Sequence, residues 1–164
     1  MRTAGSGLTP ERKKLIKDWT AAVLWMGVIA LESTEWFSSE HTSRFLYPLL
    51  RFLLNISPQA FEVVHHYLRK TGHFVGYFAL SALLFRAWRD TLHPAKVKAW
   101  ARRWAASAFL MSVLVASLDE WHQTFLPSRS GRVADVVLDS TAALTAQIVI
   151  FLFLHFRRGG ETGV

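Results

Sequence analysis

Residues 119–139 read DEWHQTFLPSRSGRVADVVLD. An apolar run from Trp104 to about Phe125 ends in Asp119, Glu120 and Gln123. A short connection through Pro127 and Gly131 follows. Arg129, Arg132, Asp135 and Asp139 then open a second apolar run that ends at Phe156. At the helical period, Asp119, Glu120 and Gln123 fall within roughly a 100° arc, and Arg132, Asp135 and Asp139 within about 60° of one another. An ionisable group at membrane depth costs roughly 2.5–3.5 kcal/mol, so such groups turn inward and mark sites. The segment therefore reads as two antiparallel membrane helices whose polar stripes face each other at one end.

Two further runs show the same design. Trp19 to Phe37 carries Glu32 and Glu35 near its end, and Lys70 to Trp88 opens with Lys70, His73 and Tyr77. Those three are spaced three and four apart and form one stripe. A span needs about 20 residues, and each run supplies about that length. The fold class expected is thus an all-α membrane protein: a bundle of four transmembrane helices at about 19–37, 70–88, 104–125 and 132–156. The polar ends of all four fall on one side of the membrane.

Direction follows from Lys and Arg. Arg2, Arg12, Lys13, Lys14 and Lys17 precede the first run. Arg86, Arg89, Lys96, Lys98, Arg102 and Arg103 lie between the second and third, and Arg157 and Arg158 follow the fourth. Thirteen of the 19 basic residues thus share one face. The positive-inside rule places both termini in the cytoplasm and the polar ends outside. Residues 1–18 read as a cytoplasmic basic tail, 19–156 as a single transmembrane domain and 157–164 as a second tail. Residues 1–18 have no apolar core followed by a small-residue cleavage site, so the first run is expected to stay as an anchor. The expected location is the cytoplasmic membrane, multi-pass.

The chain has 164 residues, 51% of them hydrophobic, with seven Trp and twelve Phe. That content suits helices with a lipid-facing side and aromatic belts, the reading given to Trp19, Trp25, Trp36, Trp88, Trp100 and Trp104. The formal charge of +7 does not point to nucleic acid, because the basic residues cluster between apolar runs. No cysteine is present, which excludes disulfides, thiol catalysis and thiolate metal sites. Between the first and second spans, Phe45, Leu46, Leu49, Leu50, Leu53 and Leu54 recur at helical spacing. They predict an amphipathic interfacial helix bent near Pro48. Ser57-Pro58 reads as a cap and first turn leading into the second span or to a break near Gly72. His65 and His66 read as solvated loop residues.

The polar groups form one candidate ligand-binding set: Lys70, His73, Tyr77, Asp119, Glu120, Gln123, Arg129, Arg132, Asp135 and Asp139. Glu32 and Glu35 are secondary candidates, and Glu120, His73 and Asp135 are the candidates for acid–base work. No compact ligand motif such as H-E-x-x-H is present, and no metal or cofactor is expected. A plainer reading is a structural lock, with Arg129 or Arg132 bridging Asp135, Asp119 or Glu120. Buried charges need partners, and this arrangement supplies them.

The same residues resemble the VanZ-like family of small integral membrane proteins, over roughly residues 20–155. The family pattern Lys-x-x-His-x-x-x-Tyr is matched by Lys70, His73 and Tyr77. Asp-Glu-x-x-Gln is matched by Asp119, Glu120 and Gln123. An Arg six residues on and an Asp six after that are Arg129 and Asp135. Phe37, Ser38 and Ser39 match a Phe-x-Ser-Ser-like stretch. Two positions depart from the pattern: Asp139 stands where the family usually has Asn, and Ala142 where it usually has Gly. The family's namesake is associated with resistance to the glycopeptide teicoplanin, which acts at the outer face of the bacterial membrane.

Three functions remain open on this reading. The first is an outward-facing site that binds an amphipathic cell-envelope ligand: a lipid, a lipid-linked precursor or a lipoglycopeptide. The resemblance adds a link to glycopeptide resistance. The second is an intramembrane hydrolase or transferase acting on a lipid headgroup. The third is a structural or partner-binding bundle. The expected partner is a membrane lipid or lipid-linked envelope molecule. The oligomeric state is not specified.

Overall fold

The computed structural model describes residues 8–92, 100–127, 129 and 131–159. Of the expected basic segments, Arg2, Lys96, Lys98 and the Arg158 side chain lie outside the description. The described chain is helical, with no strand: α1 (Pro10–Glu32), a 3-10 turn (Glu35–Phe37), α2 (Ser39–Leu54), α3 (Pro58–Leu92), α4 (Arg102–Gln123) and α5 (Val133–Gly159).

Local chemistry sets the boundaries. Thr9 caps α1 by accepting the amide of Arg12, with Pro10 opening the first turn. The helix therefore starts nine residues before the Trp19 expected from hydropathy. Lys13, Lys14 and Lys17, read as a tail, are helical. At its other end α1 stops at Glu32, not Phe37. Ser33 closes it, and residues 35–37 form the 3-10 turn. Ser38 caps α2, whose Pro48 lies within the helix, and Asn55 ends it in the left-handed region at φ 49°. Ser57 Oγ accepts the amide of Ala60, and Pro58 opens α3. That helix runs unbroken through Gly72 and Gly76 to Leu92. His65 and His66 are consequently helical, not loop residues, and His65 is buried.

Helix α3 is the centre of the bundle, packed against α1, α4 and α5, while α4 also packs on α5. Small residues permit the close approach. Ala105, Ala108, Ser112 and Ala116 recur along one face of α4, and Ala142, Ala143 and Ala146 are fully buried on α5. Ala142 is thus accommodated where a glycine would give a still closer contact. Ser81 of α3 donates to the Ala143 carbonyl at 2.9 Å, and Gln147 donates to Ser81 Oγ at 2.8 Å. Trp25 Nε1 donates to the Gly76 carbonyl at 2.8 Å, pinning α1 to α3. At the end away from the acidic pair, Arg86 donates to buried Asp18 at 2.6 Å and Lys14 meets Asp90 at 2.5 Å.

The stretch Val133–Arg157 of α5 is long and apolar enough to cross a membrane, with a mean hydropathy of 1.9 and only 28% of its apolar window buried. Helices α1, α3 and α4 carry charged residues within their length (Lys13 and Lys17, Arg86 and Asp90, Asp119 and Glu120) and do not meet the same criterion. Yet each exposes large apolar side chains: Val23, Leu24 and Leu31 on α1, Val75 on α3, Leu110, Leu114 and Leu118 on α4.

Candidate functional site

The polar ends of α1, α3, α4 and α5 meet. Their organising group is Asp119, nearly buried on α4. Its carboxylate accepts from Ser33 Oγ at the end of α1, from Tyr77 OH on α3 at 3.3 Å, and from Gln123 Nε2 one turn along α4 at 3.3 Å. Gln123 also donates to Ser33 Oγ at 3.1 Å. Three helices are thus tied to one carboxylate through neutral donors. Ser33 was not foreseen from the sequence: a lone serine after an apolar run carries no signal of its own.

A second layer joins α3 to α5. Lys70 pairs with Asp135, and His73 Nδ1 lies 3.5 Å from Asp139 Oδ2. The 129–132 connection supplies a third. Arg129 donates to the carbonyls of Glu32 and, at 3.0 Å, of Thr34, so it caps the end of α1. The backbone amide of Arg132 donates to Glu120 Oε2 at 2.8 Å. The arginine-to-carboxylate lock, the plainer alternative in the sequence, does not form among the described residues. The cation on Asp135 is Lys70, and Arg129 serves carbonyls. Sequence order favoured the neighbouring arginines, whereas α3 brings Lys70 from 65 residues away.

Between these layers lies a pocket of about 250 Å³, walled by Arg69, Lys70, Arg129 and Arg132 together with His73 and Glu120, and completed by Ser39, Glu62, His65, His66, Gln123 and Asp135. A second cavity of about 250 Å³ shares His65, Arg69, His73 and Arg129 with it, and adds Phe37, Leu46 and Leu68. Of the candidate set, Lys70, His73, Glu120, Gln123, Arg129, Arg132 and Asp135 reach the first pocket. Tyr77 and Asp119 lie deeper, around a small void that the exposed Glu32 also lines. Asp139 is fully buried, and its Oδ1 has no hydrogen-bond partner among the described residues. The Glu35 side chain is exposed on the 3-10 turn. Arg69 is not among the candidate residues read from the sequence. Its place one residue before Lys70 at the pocket wall follows from α3 starting at Pro58.

Burial draws the Arg69 guanidinium below its ordinary pKa, against the pull of Asp135 and Glu120. Burial and the charge of Arg69 do the same to Arg129. Both guanidinium groups remain cationic and are less well solvated than in water. His65 Nε2 is 3.0 Å from Thr42 Oγ1, whose own proton goes to the Ser38 carbonyl at 2.8 Å, so the imidazole donates. Burial, then the charge of Arg69, lowers the His65 pKa below 6.5. The unfolded chain binds a proton that the folded state resists, so this contribution is whole above about pH 6.5 and is lost as pH falls toward the folded value. Melting curves between about pH 8 and pH 5 should show a shallower acid decline for His65→Gln than for the parent. Equal slopes would remove His65 from the account.

The described residues form an all-helical bundle with one helix long and apolar enough to cross a membrane and an ionisable pocket at one end. The chain belongs to the VanZ/LLP1 family, whose family model matches residues 19–154. No curated protein and no solved structure matches the chain.

Proposed function

We propose that α1, α3, α4 and α5 cross the bacterial cytoplasmic membrane, with both termini in the cytoplasm. On this reading the pocket opens at the outer leaflet and binds the anionic headgroup of an amphipathic envelope ligand: a lipid, a lipid-linked precursor or a lipoglycopeptide. The observation that carries the reading is the pair of adjoining cavities. One is walled by four cations, which suit phosphate or carboxylate oxygens. The other shares Arg69 and Arg129 but is lined by Phe37, Leu46 and Leu68, which suit the start of an acyl chain. The amphipathic α2, with Phe45, Leu49, Phe52 and Leu53 exposed, would lie in the interface beside them. Apolar faces on every long helix would contact lipid.

Arg69 separates binding from folding. Among the described residues its guanidinium makes no hydrogen bond or ion pair, so Arg69→Ala should leave the fold intact. Loss of a charge-assisted bond to a phosphate is worth about 1.5–3 kcal/mol, or roughly 10-fold or more in affinity. The test is native mass spectrometry of protein in nanodiscs against a polyprenyl phosphate and phosphatidylglycerol. The parent should retain one anionic lipid per chain and Arg69→Ala should lose it at unchanged melting temperature. Equal retention by both proteins refutes the reading.

A further inference from the structure

We infer that His73, Glu120 and Asp139 form a binding site for one divalent transition cation, of the zinc or manganese kind, at the inner wall of the polar pocket. The three side chains come from α3, α4 and α5, and one donor atom from each lies within 4.8 Å of the others. Around a tetrahedral centre with bonds of about 2.1 Å, donors sit about 3.4 Å apart, so side-chain adjustments of about an ångström close the site.

Three observations point to a cation. Asp139 is wholly buried, yet its Oδ1 has no partner among the described residues. An unpaired carboxylate oxygen in such surroundings is costly, and a metal would satisfy it. Next, the 3.5 Å contact between His73 Nδ1 and Asp139 Oδ2 is too long to be a strong hydrogen bond. It leaves both atoms able to turn to a shared ion. Finally, the neighbouring carboxylates are already served. Asp135 has Lys70, and Asp119 has three neutral donors. Glu120 and Asp139 have no lysine or arginine side chain bonded to them among the described residues. A divalent ion would balance their two charges.

The donor set narrows the metal. One imidazole nitrogen with carboxylate oxygens is borderline in softness and suits zinc or manganese better than calcium or magnesium. Arg132 holds Glu120 through its backbone amide, the kind of outer support that orients metal ligands. His73 and Glu120 also line the pocket, so a coordination position would face it. Sequence spacing gives no hint of this, because the ligands lie 47 and 19 residues apart on three different helices.

Metal uptake is measured without lipid, so its failure and failure of the headgroup reading are separate results. Detergent-purified protein, stripped with chelator, is titrated with Zn²⁺ and Mn²⁺ by calorimetry. Co²⁺ is added separately to read the ligand-field spectrum. The parent should bind one ion per chain at micromolar affinity or tighter. The near-isosteric Asp139→Asn and the variant His73→Gln should each weaken binding at least tenfold, with helical circular dichroism unchanged, while His155→Gln should not. A parent that binds no ion, or affinity retained in either Asp139→Asn or His73→Gln, overturns the inference. The parent's stoichiometry and Co²⁺ spectrum decide the matter even where a variant fails to fold.

Discussion

Asp119→Ala is expected to lower the melting temperature by about 6–12 °C, the largest single-residue effect in the bundle. The carboxylate accepts from Ser33, Tyr77 and Gln123 at a point where α1, α3 and α4 meet. Alanine removes the acceptor and leaves the donors behind. Gln123 and Ser33 still have each other, but the Tyr77 hydroxyl is stranded in a residue 1% exposed. A stranded buried donor costs about 1–3 kcal/mol, and loss of the remaining bonds to a charged group adds to it. A total of about 3 kcal/mol corresponds to that temperature range for a chain of this size. Asp119→Asn keeps one acceptor oxygen and should lose much less. Adding Tyr77→Phe to Asp119→Ala should recover part of the loss, because a donor removed with its acceptor is no longer unsatisfied. Thermal denaturation in detergent, followed by circular dichroism, checks all three. An Asp119→Ala protein melting within about 2 °C of the parent would show that this carboxylate does not hold the helices together.

Gly131→Ala is expected to cost about 1–3 kcal/mol through overpacking and to disturb the pocket with it. A Cβ at Gly131 would collide with the backbone carbonyl oxygen of Glu120 and with Thr124 Cγ2. Gly131 does not have positive φ, so close approach, not backbone conformation, is what demands a glycine here. The connection would have to move away from α4. That movement would carry the Arg132 amide off Glu120 Oε2, now 2.8 Å away. Thr124→Ser would relieve the methyl contact but not the backbone one, so it should not rescue Gly131→Ala. Anionic lipid retention and melting temperature should fall together in Gly131→Ala, whereas in Arg69→Ala only retention falls. A Gly131→Ala protein that matches the parent in both would mean that the connection has room to shift.

Much of this was legible along the chain. Helical periodicity at Phe45–Leu54 marked α2, and Ser57-Pro58 marked the start of α3. The spacing of Lys70, His73 and Tyr77 placed them on one stripe, as did that of Asp119, Glu120 and Gln123. These are facts of a single helix and need no neighbour. The departures have equally local causes. Hydropathy starts the first span at Trp19, and the helix itself begins earlier because Thr9 and Pro10 start it through charged residues. Hydropathy assigns His65 to a loop because a polar stretch ahead of an apolar run looks like one. Helix α3 buries that residue, against Phe61 and Thr42.

What the sequence alone determined is the helical class, the family and the list of polar residues at one end of each run. Pairing was beyond it. That Asp135 takes Lys70 instead of an arginine, that Arg129 serves two carbonyls, and that His73, Glu120 and Asp139 converge were decided by how α3 lies against α4 and α5. Side-chain pairs within one helix follow from a fixed 3.6-residue period. Pairs between helices depend on rotation and relative height, which are set by packing of the buried alanines and serines along the whole contact.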